Sequence, residues 1–110
     1  MKAYLIDPWT RTVTEVERSE GSAEVQLHEI YRLIGCQHIE AVNPSDSGSD
    51  VIYVDEEGLF KDGQLFFYCR LWPVEALAGR GLWVGTTRSG DDTSPGMTRQ
   101  YVEDQIVWSI

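Results

Sequence analysis

The stretch Ser22-Ala23-Glu24-Val25-Gln26-Leu27-His28-Glu29-Ile30-Tyr31-Arg32-Leu33-Ile34-Gly35 decides how the rest of the chain is read. Leu27, Ile30, Tyr31 and Ile34 recur at the i, i+3, i+4, i+7 spacing that lines one face of an α-helix. Ser22 can accept a hydrogen bond from a free N–H of the first turn, and Gly35 can adopt the left-handed conformation that ends the last one. The pattern predicts a helix over 23–34 with an apolar stripe facing a core. Glu24, Glu29 and Arg32 fall off that stripe. Val25 lands near the outer face, where single exposed valines are common.

Before this helix, Lys2–Ile6, the turn Asp7-Pro8-Trp9-Thr10 and Thr12–Glu17 predict a β-hairpin, because Asp and Pro suit the first two positions of a type I turn. Val13 and Val16 do not alternate cleanly with Glu15 and Glu17, so the second strand is expected at an edge or with an irregularity. After the helix, His38–Asn43 reads as a strand, 44–50 as a polar loop and Asp50–Asp55 as a strand with an apolar centre. Glu56-Glu57-Gly58 turns the chain, Leu59-Phe60 is expected to re-enter the core, and Lys61-Asp62-Gly63-Gln64 turns it again into a strand over Leu65–Leu71. Pro73–Ala78 reads as a single helical turn stopped by Gly79, and Leu82–Thr87 as a strand. A second polar loop, Ser89–Gly96, leads to a short helix over Thr98–Gln105, after which Ile106, Trp108 and Ile110 alternate as in a strand. These elements make an α+β domain: a mostly antiparallel sheet of five or more strands, one main helix at about 23–34 packed on one face, and a short C-terminal helix. A single domain over 1–110 is expected.

A chain of 110 residues, 42% of them apolar, has a core of limited size, so a deep enclosed active site would be costly. No apolar run approaches the roughly 20 residues that cross a bilayer, and Met1–Asp7 is too short in its apolar part for a secretory signal. The cytoplasm is the expected location. Cys36 and Cys69 lie 33 positions apart without a CxxC spacing and read as reduced, buried thiols. Only His28, His38 and these cysteines offer soft ligands, so neither a metal nor a cofactor is expected. The net charge of −9 is uneven: residues 1–60 hold 12 acids and 4 bases, giving −8, whereas residues 61–110 hold 6 and 5, giving −1. Such a field repels nucleic acid and anionic membranes and attracts basic protein surfaces, while also serving solubility.

The segments Glu29-Ile30-Tyr31-Arg32-Leu33-Ile34-Gly35-Cys36, Val54-Asp55-Glu56-Glu57-Gly58-Leu59 and Ala78-Gly79-Arg80-Gly81-Leu82-Trp83-Val84-Gly85 carry a resemblance. With the opening Lys2–Asp7, the chain resembles a family of small uncharacterised proteins of bacteria, phages and plasmids, over roughly four-fifths of its length to about Gly85. The resemblance implies no activity, cofactor or site residue. It does imply a setting, that of a cytosolic accessory protein of mobile elements.

Asp55, Glu56 and Glu57 set three carboxylates at a strand end, but a hard cation wants six or more oxygens at a defined spacing, and the calcium-loop pattern is missing. Cys36 and His38 would share a face if both lay on a strand, which permits a thiol–imidazole pair. No Gly-x-Ser-x-Gly elbow occurs, and Gly79-Arg80-Gly81 lacks the spacing of a phosphate loop. Trp9 at the hairpin tip and Trp72 at a strand end suit interface anchors or caps on the core. The leading expectation is thus a non-catalytic interaction protein that meets a basic protein partner through Asp55, Glu56, Glu57, Trp9 and Trp72. A sharper form, mimicry of nucleic acid, is weakened because Arg11, Arg18 and Arg32 interrupt the acids. The competing class is a small-molecule binder or small enzyme with a pocket between helix and sheet lined by Tyr4, Tyr31, Tyr53 or Trp83. A homo-oligomer through an edge strand, either the second hairpin strand or Ile106–Ile110, is the third.

Overall fold

The computed structural model describes residues 1–109. The chain opens with the hairpin of β1 (Lys2–Asp7) and β2 (Thr12–Glu17), paired from Lys2↔Glu17 to Asp7↔Thr12 without a break. The Trp9 backbone N–H donates to the Asp7 carboxylate at 2.9 Å and fixes the turn. β2 is an edge strand, and it carries no bulge. Helix α1 (Ala23–Ile34) follows with the caps its sequence dictates. Ser22 accepts from the Val25 N–H, and Gly35, at φ 80°, donates its N–H to Tyr31 O.

β3 (Ile39–Val42) and β4 (Val51–Asp55) precede a 3-10 turn at Gly58–Phe60, and then come β5 (Phe66–Cys69), β6 (Trp72–Ala78) and β7 (Gly81–Thr86). The chain closes with β8 (Asp92–Thr93), α2 (Arg99–Gln105) and β9 (Ile106–Trp108). All strand pairs are antiparallel. Six strands form one sheet, in the order β2-β1-β7-β4-β3 with β8 added on β7, and three form another, in the order β6-β5-β9. With two helices this is the α+β class with a mostly antiparallel sheet.

Period-two alternation sorts the large sheet's residues into two cores. Tyr4, Ile6, Ile52, Val54 and Trp83 are buried with Phe67, Cys69 and Leu77 of the small sheet and Val102 of α2. Ala3, Val51, Leu82 and Val84 are buried with Ile30 and Ile34 of α1 and with Cys36. β7 sits between β1 and β4 and serves both cores, which is why Gly81 through Gly85 are buried without exception.

Three sequence expectations are corrected. Pro73–Ala78 is strand, not a helical turn: Ala78 and Leu77 pair with Phe66 and Phe67, and Leu77 is buried beside Phe67. Pro73 is tolerated because β6 is an edge. Leu59 and Phe60 do not re-enter the core but stand exposed. Gly58 lies so close to Ala78 that a Cβ on it would come within 3.1 Å, and Lys61 is held by the Asp55 carboxylate, so the short turn between them points outward. Leu27, on the expected apolar stripe, is exposed while Ile30 and Ile34 are buried. The alternation expected to run to Ile110 reaches beyond the described residues; Ile106 is buried and Trp108 partly so.

Accordingly, Ile30→Ala is expected to lower stability by about 2–4 kcal/mol and Leu27→Ala by less than about 1 kcal/mol, read from urea denaturation midpoints.

Candidate functional site

The three consecutive carboxylates at the end of β4 do not act together. Asp55 is a structural acid: its side chain is 6% exposed, it binds the Lys61 ammonium, and its Oδ1 accepts the Glu57 backbone N–H at 2.9 Å. Hydrogen bonding to Asp55 raises the Lys61 pKa. Glu56 and Glu57 are exposed and line separate hollows. Glu57 lies 3.7 Å from the His38 imidazole.

The hollow beside Glu56 is a shallow depression of about 100 Å³ whose walls include Glu40, Glu56, Glu75, Val54, Leu59 and Leu77. Its acids come from three places in the sequence: β3, the end of β4, and β6. Among the described residues none of Glu40, Glu56 and Glu75 forms an ion pair, so their charge faces solvent uncompensated. Leu59 on its wall is 60% exposed, and neighbouring Phe60 is 87% exposed, the most of any large apolar side chain described. Sequence reasoning missed Glu40 and Glu75 here. The one signal for Leu59 and Phe60 was an apolar pair set inside a turn between Glu56-Glu57-Gly58 and Lys61-Asp62-Gly63.

The tryptophans stand apart from this surface. Trp9 is partly exposed at the hairpin turn beneath Arg80, whose Cζ is 5.3 Å from the ring centroid and whose Nε pairs with Asp7 at 3.1 Å. Trp72 is half-buried against the larger core, and its buried indole N–H has no partner among the described residues.

A wider cleft of about 610 Å³ opens at the end of α1, lined by Tyr31, Arg32, Gly35, Cys36, Gln37, Glu57 and Lys61. Cys36 is a buried, free thiol there. Burial, then the Asp55 charge, push its thiol up, outweighing the His38 backbone N–H and Lys61. A third hollow, of about 220 Å³, runs between α1 and the β3 side of the large sheet, with Leu27, Ile30, Ile39, Tyr53 and Asp91 among its walls. Tyr31 and Tyr53 therefore do line hollows, whereas Tyr4 and Trp83 lie in the core. No cluster of three or more His, Cys, Asp or Glu side chains suited to a metal occurs among the described residues. No helix in them is long and apolar enough to cross a membrane.

Two buried polar nodes fix these surfaces. Arg18, with its side chain wholly buried, donates Nε to Glu29 (3.1 Å), Nη1 to Asp92 (2.7 Å) and Nη2 to Gln26 O (3.2 Å). The Tyr53 hydroxyl donates to the other Asp92 oxygen at 2.6 Å, and burial followed by this bond raises the phenol's pKa. Burial alone would raise Glu29. Hydrogen bonds from the Ser19 hydroxyl and N–H, then Arg18, outweigh it and hold the carboxyl below its ordinary 4.5. Asp50 is the second node, accepting from Trp83 Nε1 (2.7 Å), Gly96 N–H (2.9 Å) and Met97 N–H (3.1 Å).

A family model described as a domain of unknown function (DUF3846) matches residues 1–106. The match runs past Gly85, where the sequence resemblance faded, and includes all of α2. No curated protein and no solved structure matches the chain.

Replacing Arg18 strands two largely covered carboxylates, Glu29 and Asp92, so Arg18→Met is expected to cost about 3 kcal/mol in urea denaturation at neutral pH. Because the folded Glu29 value is lowered, its stabilisation is complete above about pH 4.5 and is lost as the pH falls further, through the folded value. That acid-limb slope should flatten in Glu29→Gln; an unchanged slope would assign it to other carboxylates.

Proposed function

The chain belongs to the DUF3846 family, and from that premise we propose that it is a non-catalytic binding protein whose acidic, apolar-tipped surface engages a basic surface on a protein partner. The observation that carries this reading is the exposure of Leu59 and Phe60 beside Glu40, Glu56 and Glu75, whose charges no cation offsets among the described residues. Covering a Leu and a Phe side chain contributes about 1.5–3 kcal/mol each. Rim carboxylates speed and select the encounter more than they tighten the final complex. Such a protein suits a cytosolic accessory factor of mobile elements that modulates a host protein, the setting the sequence resemblance implies. Mimicry of nucleic acid has less support, since Asp7, Glu29, Asp55 and Asp92 are each neutralised by a neighbouring cation.

The test is affinity capture from a host lysate with the wild-type chain, Phe60→Ser and the triple variant Glu40→Gln, Glu56→Gln, Glu75→Gln, followed by titration calorimetry on the purified partner. A partner with a basic face, bound at least about tenfold more weakly by Phe60→Ser and losing its salt dependence with the triple variant, is the expected result. Equal binding by all three chains would overturn the reading.

A second reading, a small-molecule site, is favoured by the cleft of about 610 Å³ beside Cys36. Its test is a thermal-shift screen of metabolite-sized compounds. A compound that raises the Tm of the wild type but not of Gln37→Trp, which fills the cleft, would establish it.

A further inference from the structure

The surface just described borders an open sheet edge. β3 ends the large sheet and pairs only with β4. In an antiparallel pair, residues that exchange hydrogen bonds alternate with residues whose backbone groups face away. The Glu56 N–H donates to His38 O at 3.0 Å, and this sets the phase. His38, Glu40 and Val42 turn their backbone groups to β4, while Ile39 and Ala41 turn theirs outward. Ala41 is exposed, and these outward groups have no partner among the described residues.

The other long edges are blunted in ways proteins commonly use. β6 carries Pro73. On β2, the Val13 carbonyl accepts from Arg99 of α2 at 3.4 Å. β3, Ile-Glu-Ala-Val, has no proline, lysine or bulge. Each face of this edge also has its own hollow. Ile39 lies with Leu27, Ile30 and Tyr53 in the hollow against α1, whereas Glu40 lies with Glu56, Glu75 and Leu59 in the acidic depression on the other face.

We infer that the free edge of β3 accepts an extended segment of the protein partner as an added strand, in which apolar residues alternate with lysine or arginine. This rests on the proposed binding of a basic partner and adds how that partner docks. Main-chain hydrogen bonds to Ile39 and Ala41 supply the attachment, and the two hollows select alternate side chains. Apolar residues face Leu27 and Ile39. Basic residues face Glu40, Glu56 and Glu75, where opposite charges across strands are favourable.

The probe is a fluorescent peptide of alternating arginine and valine, followed by anisotropy against the full chain. Two further peptides carry N-methyl groups on every valine or on every arginine. In an antiparallel addition the valines lie opposite Ile39 and Ala41 and give them their N–H groups, so N-methylvaline should weaken binding about tenfold or more while N-methylarginine leaves it intact. In a parallel addition the two peptides exchange roles, and either asymmetry supports strand addition. Ala41→Pro removes an outward N–H that β4 does not use, and it should also weaken binding about tenfold with little change in Tm. If the proline variant unfolds, the methylated peptides alone decide. No binding, or equal effects of both methylated peptides, overturns the inference. Equal effects joined to loss of binding with Phe60→Ser would leave the proposed surface standing without the edge. A twofold mass in sedimentation that Ala41→Pro abolishes would make a second copy of the chain the occupant and overturn the partner strand.

Discussion

The buried Arg18 guanidinium ties together three parts of the chain that lie far apart in sequence. It sits just after β2, pairs with Glu29 of α1 and Asp92 of β8, and also donates to a carbonyl of α1. A charge wholly removed from water is tolerated only where its partners and donors are fully engaged. Here all three guanidinium nitrogens are used, and the backbone N–H of Arg18 donates to Met1 O at 2.7 Å. Because Asp92 also accepts from Tyr53, the same node reaches β4. Helix, hairpin and central sheet thus meet at one side chain as well as in the core of Ala3, Ile30, Ile34, Leu82 and Val84, and Asp92 of this node lines the hollow between α1 and β3.

Asp50 does the corresponding work on the other side of the sheet. It lies just before β4, binds the indole N–H of Trp83 in the middle of β7, and collects two backbone N–H groups from the segment leading into α2. Tyr4 donates to Met97 O at 2.8 Å and adds β1 to the same joint. The close approach of that segment is visible at Gly85, where a Cβ would fall 2.3 Å from Ser94 O. Glycine at this position is a packing requirement, not a turn signal.

What could be read from the sequence follows the range of the forces involved. Helix α1, the first hairpin and α2 were legible because caps, turn residues and periodicity act within a few positions. Pro73–Ala78 was misread because Glu75-Ala76-Leu77-Ala78 favours a helix locally, and pairing with Phe66 and Phe67 overrides that preference. Arg18, Asp50 and Asp92 looked like surface charges, since their burial depends on partners as far as 74 positions away. For the candidate site, the sequence located the acidic turn but could not separate Asp55, spent on Lys61, from Glu56, left free. Glu40 and Glu75 joined Glu56 only when β3, β4 and β6 came together. Neither could the fate of Leu59 and Phe60 be read locally, because apolar character says what a residue favours and not whether a core is within reach.

The net charge gains meaning only after this sorting. Asp50, Asp92, Glu29 and Asp55 are engaged inside the structure, so the total of −9 does not measure what a partner meets. The charge exposed at the β3 edge is Glu40 on the strand itself, with Glu56 and Glu75 lining the same depression. An edge without proline or lysine invites pairing with any extended chain, another copy included. Acids resolve that conflict by sign. A second copy brought edge to edge would set Glu40 and its neighbours near their own counterparts, where like charges destabilise the pairing, whereas a basic strand meets the same carboxylates as partners. On the proposed strand addition, one set of charges would discourage self-association and select a basic occupant, which would be a physical reason for an unblunted edge to persist beside uncompensated acids.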